Sequence, residues 1–276
     1  MKKKIIAFGG SGMTGSYLQK SIKNFDLVDG YDIADEDTVR EIFYNERPDV
    51  VINLAAVTDV VGAEKDPVHC YRVNSTGAAL IADYCELYEA RLIFISSVDV
   101  FDGDKKTPYT PADRKCPIVV YGQSKDAAED RINFICKDAL IIRAGWMFGG
   151  FEKDKKFVSY MMEQMLSGKK TIKAVNDIVG SPTYGKDLIE YIVKIAKTKF
   201  DGGTIHFCNS EPATRYEQAL VIAQVMDYKG KVVPATMAEF KNFRALKNSV
   251  MTPSVKTRPW SDALIEYISL WKEHIK

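Results

Sequence analysis

Four apolar residues, Ile5 to Phe8, run straight into a turn with glycine at positions 9, 12 and 15. A buried strand that feeds a helix through such a turn admits few folds. Glycine lets the turn close tightly, lets backbone approach a pyrophosphate, and lets the helix pack close on the strand. The helix N-terminus then presents unpaired N–H groups and the positive end of its dipole to phosphates. A lone glycine motif is weak, but its strand–turn–helix setting makes a dinucleotide site the expectation. Gly9, Gly12 and Gly15, with Ser11 and Met13 inside the turn, are the candidate cofactor contacts.

The same rhythm continues down the chain. Apolar runs "KKIIAFG", "FDLV", "DVVINLA", "RLIFISS" and "ALIIRAG" alternate with the amphipathic stretches "TGSYLQKSIKNF", "EDTVREIFYNER", "AALIADYCELYE" and "SKDAAEDRINFICK". Val50–Leu54 and Leu92–Ile95 are nearly continuous in Val, Ile, Leu and Phe, as strands covered on both faces should be. Alternation of this kind predicts an α/β fold, a Rossmann-type doubly wound parallel sheet with right-handed crossovers. Residues 1–145 are assigned to this dinucleotide-binding domain, and 146–276 mainly to a smaller, interwoven C-terminal substrate-binding lobe.

In that lobe "DKKFVSYMMEQMLSG" predicts a helix with Phe157, Tyr160, Met161 and Met165 as its core stripe. "SPTYGKDLIEYIVKIAKTK" and "ATRYEQALVIAQVM" predict two more helices, with the strand "GGTIHFCN" between them. The tail carries Leu264, Ile268 and Trp271 on one stripe, so it should dock.

Charge and cysteine usage narrow the partners. A formal net charge of +1 provides no broad field for nucleic acid or an anionic membrane. No apolar run reaches the roughly 18 residues of a membrane span, and "MKKKIIAFGG" has too short an apolar stretch for a signal peptide. Five widely spaced cysteines without C-x-x-C read as reduced thiols of a cytoplasmic protein. His69, His206 and His274 stand far apart, so no metal site is expected. A homodimer is compatible with the sequence, which does not specify one.

An acidic residue about 20 positions past the glycine turn should hold the adenosine ribose. Asp29 fits that count and Asp32 follows it, while Asp35, Glu36 and Asp37 read as the cap of the next helix. Between Val28 and Val39 there is no Lys or Arg. That local field suits NAD(H) better than NADP(H), whose 2′-phosphate it would repel.

"YGQSK" puts Tyr121 and Lys125 one helical turn apart on one face. A nearby ammonium favours phenolate and should lower the tyrosine pKa, so that Tyr121 can exchange a proton with a carbonyl oxygen. Ser97, at the end of "RLIFISS", is placed to hydrogen-bond the same oxygen. Taken alone Y-x-x-x-K is common, but behind a glycine turn and a fourth strand ending in serines it is rare.

These motifs together resemble the extended short-chain dehydrogenase/reductase superfamily, and within it the dTDP-4-dehydrorhamnose reductase family. The likeness runs through "GGSGMTG", "YDIADEDTV", "RPDVVINLAAVTDV", "VNSTGA", "FISSVDVFDG", "YGQSK", "IIRAGWMFG" and "VNDIVGSPT", covering roughly residues 4–185. It implies NAD(P)H-dependent reduction of the 4-keto group of a nucleotide-diphospho-6-deoxysugar, with Ser97, Tyr121 and Lys125 as the catalytic trio. Lys125 would also hold the nicotinamide ribose. Asp32 and Ile33 would lie near the adenine, and Asn53, Ala55 and Ala56 would line the cofactor, with Asn74 close by. Trp146 would sit beside the sugar, and Thr58, Asp99 and Phe101 are further substrate candidates.

The departures matter as well. Where the family reads Ser-Thr-Asp-Tyr-Val-Phe, this chain has Ser96-Ser97-Val98-Asp99-Val100-Phe101, which keeps the hydroxyl and changes two substrate-side groups. Lys153, Lys155 and Lys156 read as a solvated helix start, with a diphosphate contact as the alternative. The family's C-terminal Arg-Pro is missing from "ALKNSVM", leaving Arg244 or Arg258 as stand-ins. An epimerase of the same superfamily and a non-catalytic cofactor-binding regulatory subunit are the other readings. A dehydratase is disfavoured, because "SSVDV" lacks the acid–base pair of "TDE".

Overall fold

The computed structural model of the chain describes residues 3–21, 26–240 and 245–274. It divides into two compact units. The first comprises residues 1–102, 111–144 and 186–205.

In chain order this unit runs β1 (Ile5–Phe8), α1 (Gly15–Ser21), β2 (Asp26–Val28), α2 (Glu36–Glu46) and β3 (Val50–Asn53). Then come α3 (Val60–Lys65), α4 (Pro67–Tyr71), a π-helical turn (Arg72–Gly77), α5 (Ala78–Leu87), β4 (Arg91–Ser97), α6 (Val120–Ile135) and β5 (Leu140–Ala144). The sheet order is β2–β1–β3–β4–β5, with the strand Gly203–His206 beyond β5. Pairing from β2 through β5 is parallel throughout. Every residue of β1, β3 and β5 is buried, as expected for strands covered on both faces.

Register brings the strand ends into line. Phe8 pairs with Asn53, Asn53 with Phe94, and Ser97 with Ala144. The chain leaves β1 toward β2 on one side and resumes with β3 on the other. Ligands of open α/β sheets bind outside the carboxyl ends of strands at such a switch point.

Local chemistry explains the helix boundaries. Asp35 caps α2 by accepting from the Asp37 N–H at 3.2 Å, and α2 buries Val39 and Phe43. The Phe43 ring then packs 5.6 Å from that of Tyr84 on α5. Asp59 and Asp66 cap α3 and α4 with their side chains, making residues 60–65 and 67–77 helical where the apolar pattern marked no helix. The last residues of the expected first helix, 22–25, lie outside the described residues.

The second unit comprises residues 103–110, 145–185 and 206–276. Its strand Thr171–Val175 pairs in parallel with Lys231–Ala235. Helix Phe157–Leu166 buries Val158, Met161, Met162 and Met165, but Tyr160 points outward at 52% exposure and is not part of the stripe. Helix Arg215–Val225 opens with a capping box between Thr214 and Glu217. Helix Trp260–His274 buries Leu264 and Ile268, with Trp271 half-buried beside them. Phe148, Tyr184 and Tyr267 cluster in this unit, the first two stacked at 5.2 Å.

Where the sequence suggested one cut at residue 145, the chain crosses between units several times. Residues 186–205 go with the first unit, because they carry the helix before the sixth strand of its sheet. Among the described residues no helix is long and apolar enough to cross a membrane.

Candidate active site

The glycine turn has the geometry its spacing requires. Gly9 sits at φ 81°, and a Cβ there would lie 2.6 Å from the Ala55 nitrogen. At Gly15 a Cβ would meet the Gly10 oxygen at 2.4 Å, so α1 can start here only without a side chain. The Ser11 N–H donates to Asp29 Oδ1 at 2.8 Å, which ties the end of β2 to the turn. Met13 contributes its carbonyl to the Ser16 hydroxyl at 2.7 Å.

Asp32 accepts from the Ala34 N–H at 2.9 Å and forms an ion pair with Arg72. The Ala34 N–H first, and the Arg72 guanidinium after it, hold this carboxyl below its ordinary value. Arg72 arrives from 40 positions away, out of reach of any local count of basic residues. The side chain of Ile33 is buried at 4% exposure in the core beside Gly77, so it offers the adenine backbone only.

At the end of β3, Asn53 is 1% exposed and its Oδ1 accepts from the Ala55 N–H at 3.0 Å. Its Nδ2 is buried with no hydrogen-bond partner among the described residues. An orphaned donor at the switch point beside a glycine turn fits a dinucleotide. Ala55 and Ala56 follow outside any helix or strand, both half-buried. The side chain of Asn74, by contrast, is taken up by protein. It accepts from the Val57 N–H at 2.8 Å and donates to the Val57 carbonyl at 3.0 Å and the Ser124 hydroxyl at 3.0 Å. Ser124 in turn donates to the Tyr121 carbonyl at 2.7 Å, and the Cys70 thiol donates to Ser124 at 3.3 Å. This buried knot joins α4 and the π-helical turn to the first turn of α6.

Ser97, Tyr121 and Lys125 all belong to the first unit. Tyr121 stands in the first turn of α6 and Lys125 one turn on, 2% exposed, its Nζ 4.0 Å over the Phe94 ring. Burial brings the Lys125 ammonium from 10.5 down to about 7, against the charge of Glu129. The Tyr121 phenol is raised rather than lowered, which corrects the expectation of a depressed value. Burial is the first cause and the Asp99 carboxylate the second, while the Ser97 hydroxyl within hydrogen-bonding reach opposes both.

A charged layer lies behind the trio. Glu129 accepts two hydrogen bonds from Arg143, at 2.9 and 2.7 Å, and one from Ser96 at 2.5 Å, all buried. Lys115 stands 3.5 Å from the same carboxylate. The signals were present in the sequence: an arginine inside the apolar run "LIIRA", and a glutamate four residues past Lys125.

The substrate candidates divide. Thr58 is exposed and Asp99 half-buried. Phe101, expected at the substrate, is fully buried beneath the Arg143 guanidinium at 5.1 Å and packs the core instead. In the second unit, Trp146 is half-buried with Arg215 stacked on its ring at 3.7 Å. A Cβ at Gly180 would lie 2.3 Å from the same indole. Lys153 and Lys155 are exposed, whereas the Lys156 N–H donates to Asp154 at 2.9 Å at the start of its helix. Arg258 pairs with Glu266 at 2.6 Å, and Arg244 lies outside the described residues. Four of the five cysteines are buried and none is paired. Among the described residues no cluster of His, Cys, Asp and Glu could hold a metal.

A doubly wound parallel sheet, a glycine turn after its first strand and a Ser–Tyr–Lys group past its fourth define a Rossmann-type reductase. The chain belongs to the RmlD substrate binding domain family, whose model matches residues 3–276. It is 32% identical over 282 residues to a dTDP-4-dehydrorhamnose reductase of Mycobacterium tuberculosis, covering 98% of this chain and 90% of that protein. It is 30% identical over 282 residues to the spore coat polysaccharide biosynthesis protein SpsK of Bacillus subtilis, covering 96% of each. Among solved structures, the dTDP-4-dehydrorhamnose reductase of Bacillus anthracis in complex with NADP superposes with a TM-score of 0.91. That match is at 28% identity over 98% of this chain and all of the other.

Proposed function

We propose that the protein is an NAD(P)H-dependent oxidoreductase that reduces the 4-keto group of a nucleotide-diphospho-6-deoxysugar, with Tyr121 as proton donor. The observation that carries this reading is Tyr121 one helical turn before the buried Lys125, past a fourth strand that ends in Ser97. The reductases among its relatives support the choice of substrate class.

Bound reduced nicotinamide would supply the hydride. Gly9, Ser11, Gly12, Met13 and Gly15 would receive the pyrophosphate, Asp29 and Asp32 the adenosine end, and the free Nδ2 of Asn53 an acceptor on the cofactor. Tyr121 gives its proton to the oxygen that gains negative charge during reduction. Lys125, when charged, stabilises the phenolate left behind. Asp29 and Asp32 favour NAD(H), and Arg72 beside Asp32 is the residue through which a 2′-phosphate would be accepted. Thr58, Asp99 and Trp146 are the proposed substrate contacts, and the cytoplasm is the proposed place of action, on the strength of the unpaired thiols.

The test is NADH or NADPH oxidation with dTDP-4-dehydrorhamnose, followed by loss of reduced-cofactor absorbance. Tyr121→Phe should lower kcat by about 10²–10⁴-fold with little change in cofactor affinity. Full turnover in that variant would overturn the proton-donor assignment. Tight cofactor binding without turnover of any 4-keto nucleotide sugar would favour the regulatory subunit.

A further inference from the structure

Trp146, the proposed sugar contact, stands on a backbone that few side chains tolerate. Its φ is 42°, in the left-handed region where a bulky residue is an outlier. Strain of this kind persists only where the surroundings over-determine it, and it gathers at ligand clamps. Here the second unit holds the residue from three directions. The Thr183 N–H donates to the Trp146 carbonyl at 3.3 Å, which ties down the main chain. Gly180 lies against the edge of the indole, where a Cβ would stand 2.3 Å from Cε2 and 2.6 Å from Cζ2. The Arg215 guanidinium covers a face of the ring, 3.7 Å from its centre. Trp146 is nevertheless only half-buried, so part of it stays open to solvent.

Arg215 is itself fixed. It is the first residue of the helix Arg215–Val225, whose start is set by the Thr214–Glu217 capping box. Its Nη1 donates to Gln218 Oε1 at 3.0 Å, and Gln218 is fully buried one turn into that helix. The guanidinium also lies 4.7 Å from the centre of the Phe157 ring, so two aromatic side chains share one cation. A guanidinium is planar and stacks on aromatic faces, whereas an ammonium is a point charge on a flexible stem. We propose that Arg215 is a positioning residue for the substrate: it holds the Trp146 indole in one plane, so that the ring serves as a preformed platform for the hexose of a nucleotide sugar.

The other two contacts do not set that plane. The bond from Thr183 ends on the main chain and leaves the side-chain torsions of Trp146 free to turn. Gly180 makes room at the ring edge and has no side chain with which to hold it. Of the three, only the guanidinium lies over the face of the indole. A platform fixed before binding spares the entropy of ordering it, and that gain appears as affinity for the sugar and not as rate.

The inference rests on Trp146 as the sugar contact of the reductase proposed above, but half of its test needs no substrate. The chain has three tryptophans, so labelling with fluorotryptophan gives three 19F NMR lines, and Trp146 is the line lost in Trp146→Phe. Arg215→Ala should move that line toward the position of free fluorotryptophan and narrow it, with the Trp260 and Trp271 lines in place. With dTDP-4-dehydrorhamnose the same variant should raise the sugar KM about tenfold, the scale of one cation–π contact. Its kcat and its KM for reduced cofactor should change little. Arg215→Lys should match Arg215→Ala, since the charge without the plane does not hold the ring. A Trp146 line unmoved in Arg215→Ala, an unchanged sugar KM, or full rescue by Arg215→Lys overturns the proposal. Movement of all three lines with a fall in kcat overturns it too, in favour of a role in folding alone. If the parent turns over no 4-keto nucleotide sugar, the reductase reading fails, and a Trp146 line that moves as expected still supports the hold of Arg215 on the indole.

Discussion

Lys125 gives the sharpest link between the site and the stability of the fold. Its ammonium is buried under the Phe94 ring and titrates at about 7 instead of 10.5. A depression of that size corresponds to ~5 kcal/mol against folding when the group is charged in both states. Below pH 7 the folded and unfolded chains both carry the proton, so the whole cost applies. Between about 7 and 10.5 only the unfolded chain is protonated, and the cost fades as pH rises. Above 10.5 it vanishes. Lys125→Met keeps an unbranched side chain against Phe94 and removes the titration. The variant should be nearly inactive, yet its advantage in stability over the parent should be ~3 kcal/mol larger at pH 6 than at pH 9. Guanidinium unfolding followed by circular dichroism at pH 6, 7.5 and 9 measures this. A difference between the two proteins that does not change with pH would refute the burial argument.

Two further outcomes follow from the charges around the site. Glu129→Gln leaves the Arg143 guanidinium uncompensated at 4% exposure, and should destabilise the protein by about 3–5 kcal/mol in thermal or denaturant unfolding. A cost below about 1 kcal/mol would mean that water reaches this layer. Arg72→Ala removes the cation beside Asp32 and should lower kcat/KM with NADPH about tenfold relative to NADH, the loss of one charged hydrogen bond. An equal effect on both cofactors would remove Arg72 from 2′-phosphate recognition.

Much of this was legible locally. Glycines at 9 and 15 could be read from spacing because their roles are steric and depend on near neighbours. The Asp35 cap, the apolar strands and the helical spacing of Tyr121 and Lys125 are short-range in the same sense. Other features were out of reach because they join distant segments. Arg72 reaches Asp32 across 40 positions and qualifies a cofactor preference argued from residues 28–39 alone. Ile33 and Phe101 matched motif positions, but their side chains turn into the core, Ile33 against Gly77 and Phe101 beneath Arg143, both distant in sequence.

The amino-acid order by itself determined the sheet, the glycine turn and the one-turn spacing of Tyr121 and Lys125, since each follows from period, steric size or spacing along the chain. Tertiary structure alone decided the charge states. Folding buries Lys125 and Tyr121 and sets Asp99 beside Ser97, and the energy of a charge depends on how much water and which opposing groups surround it. That is why the Tyr121 phenol, expected to be pulled toward phenolate, is shifted the opposite way.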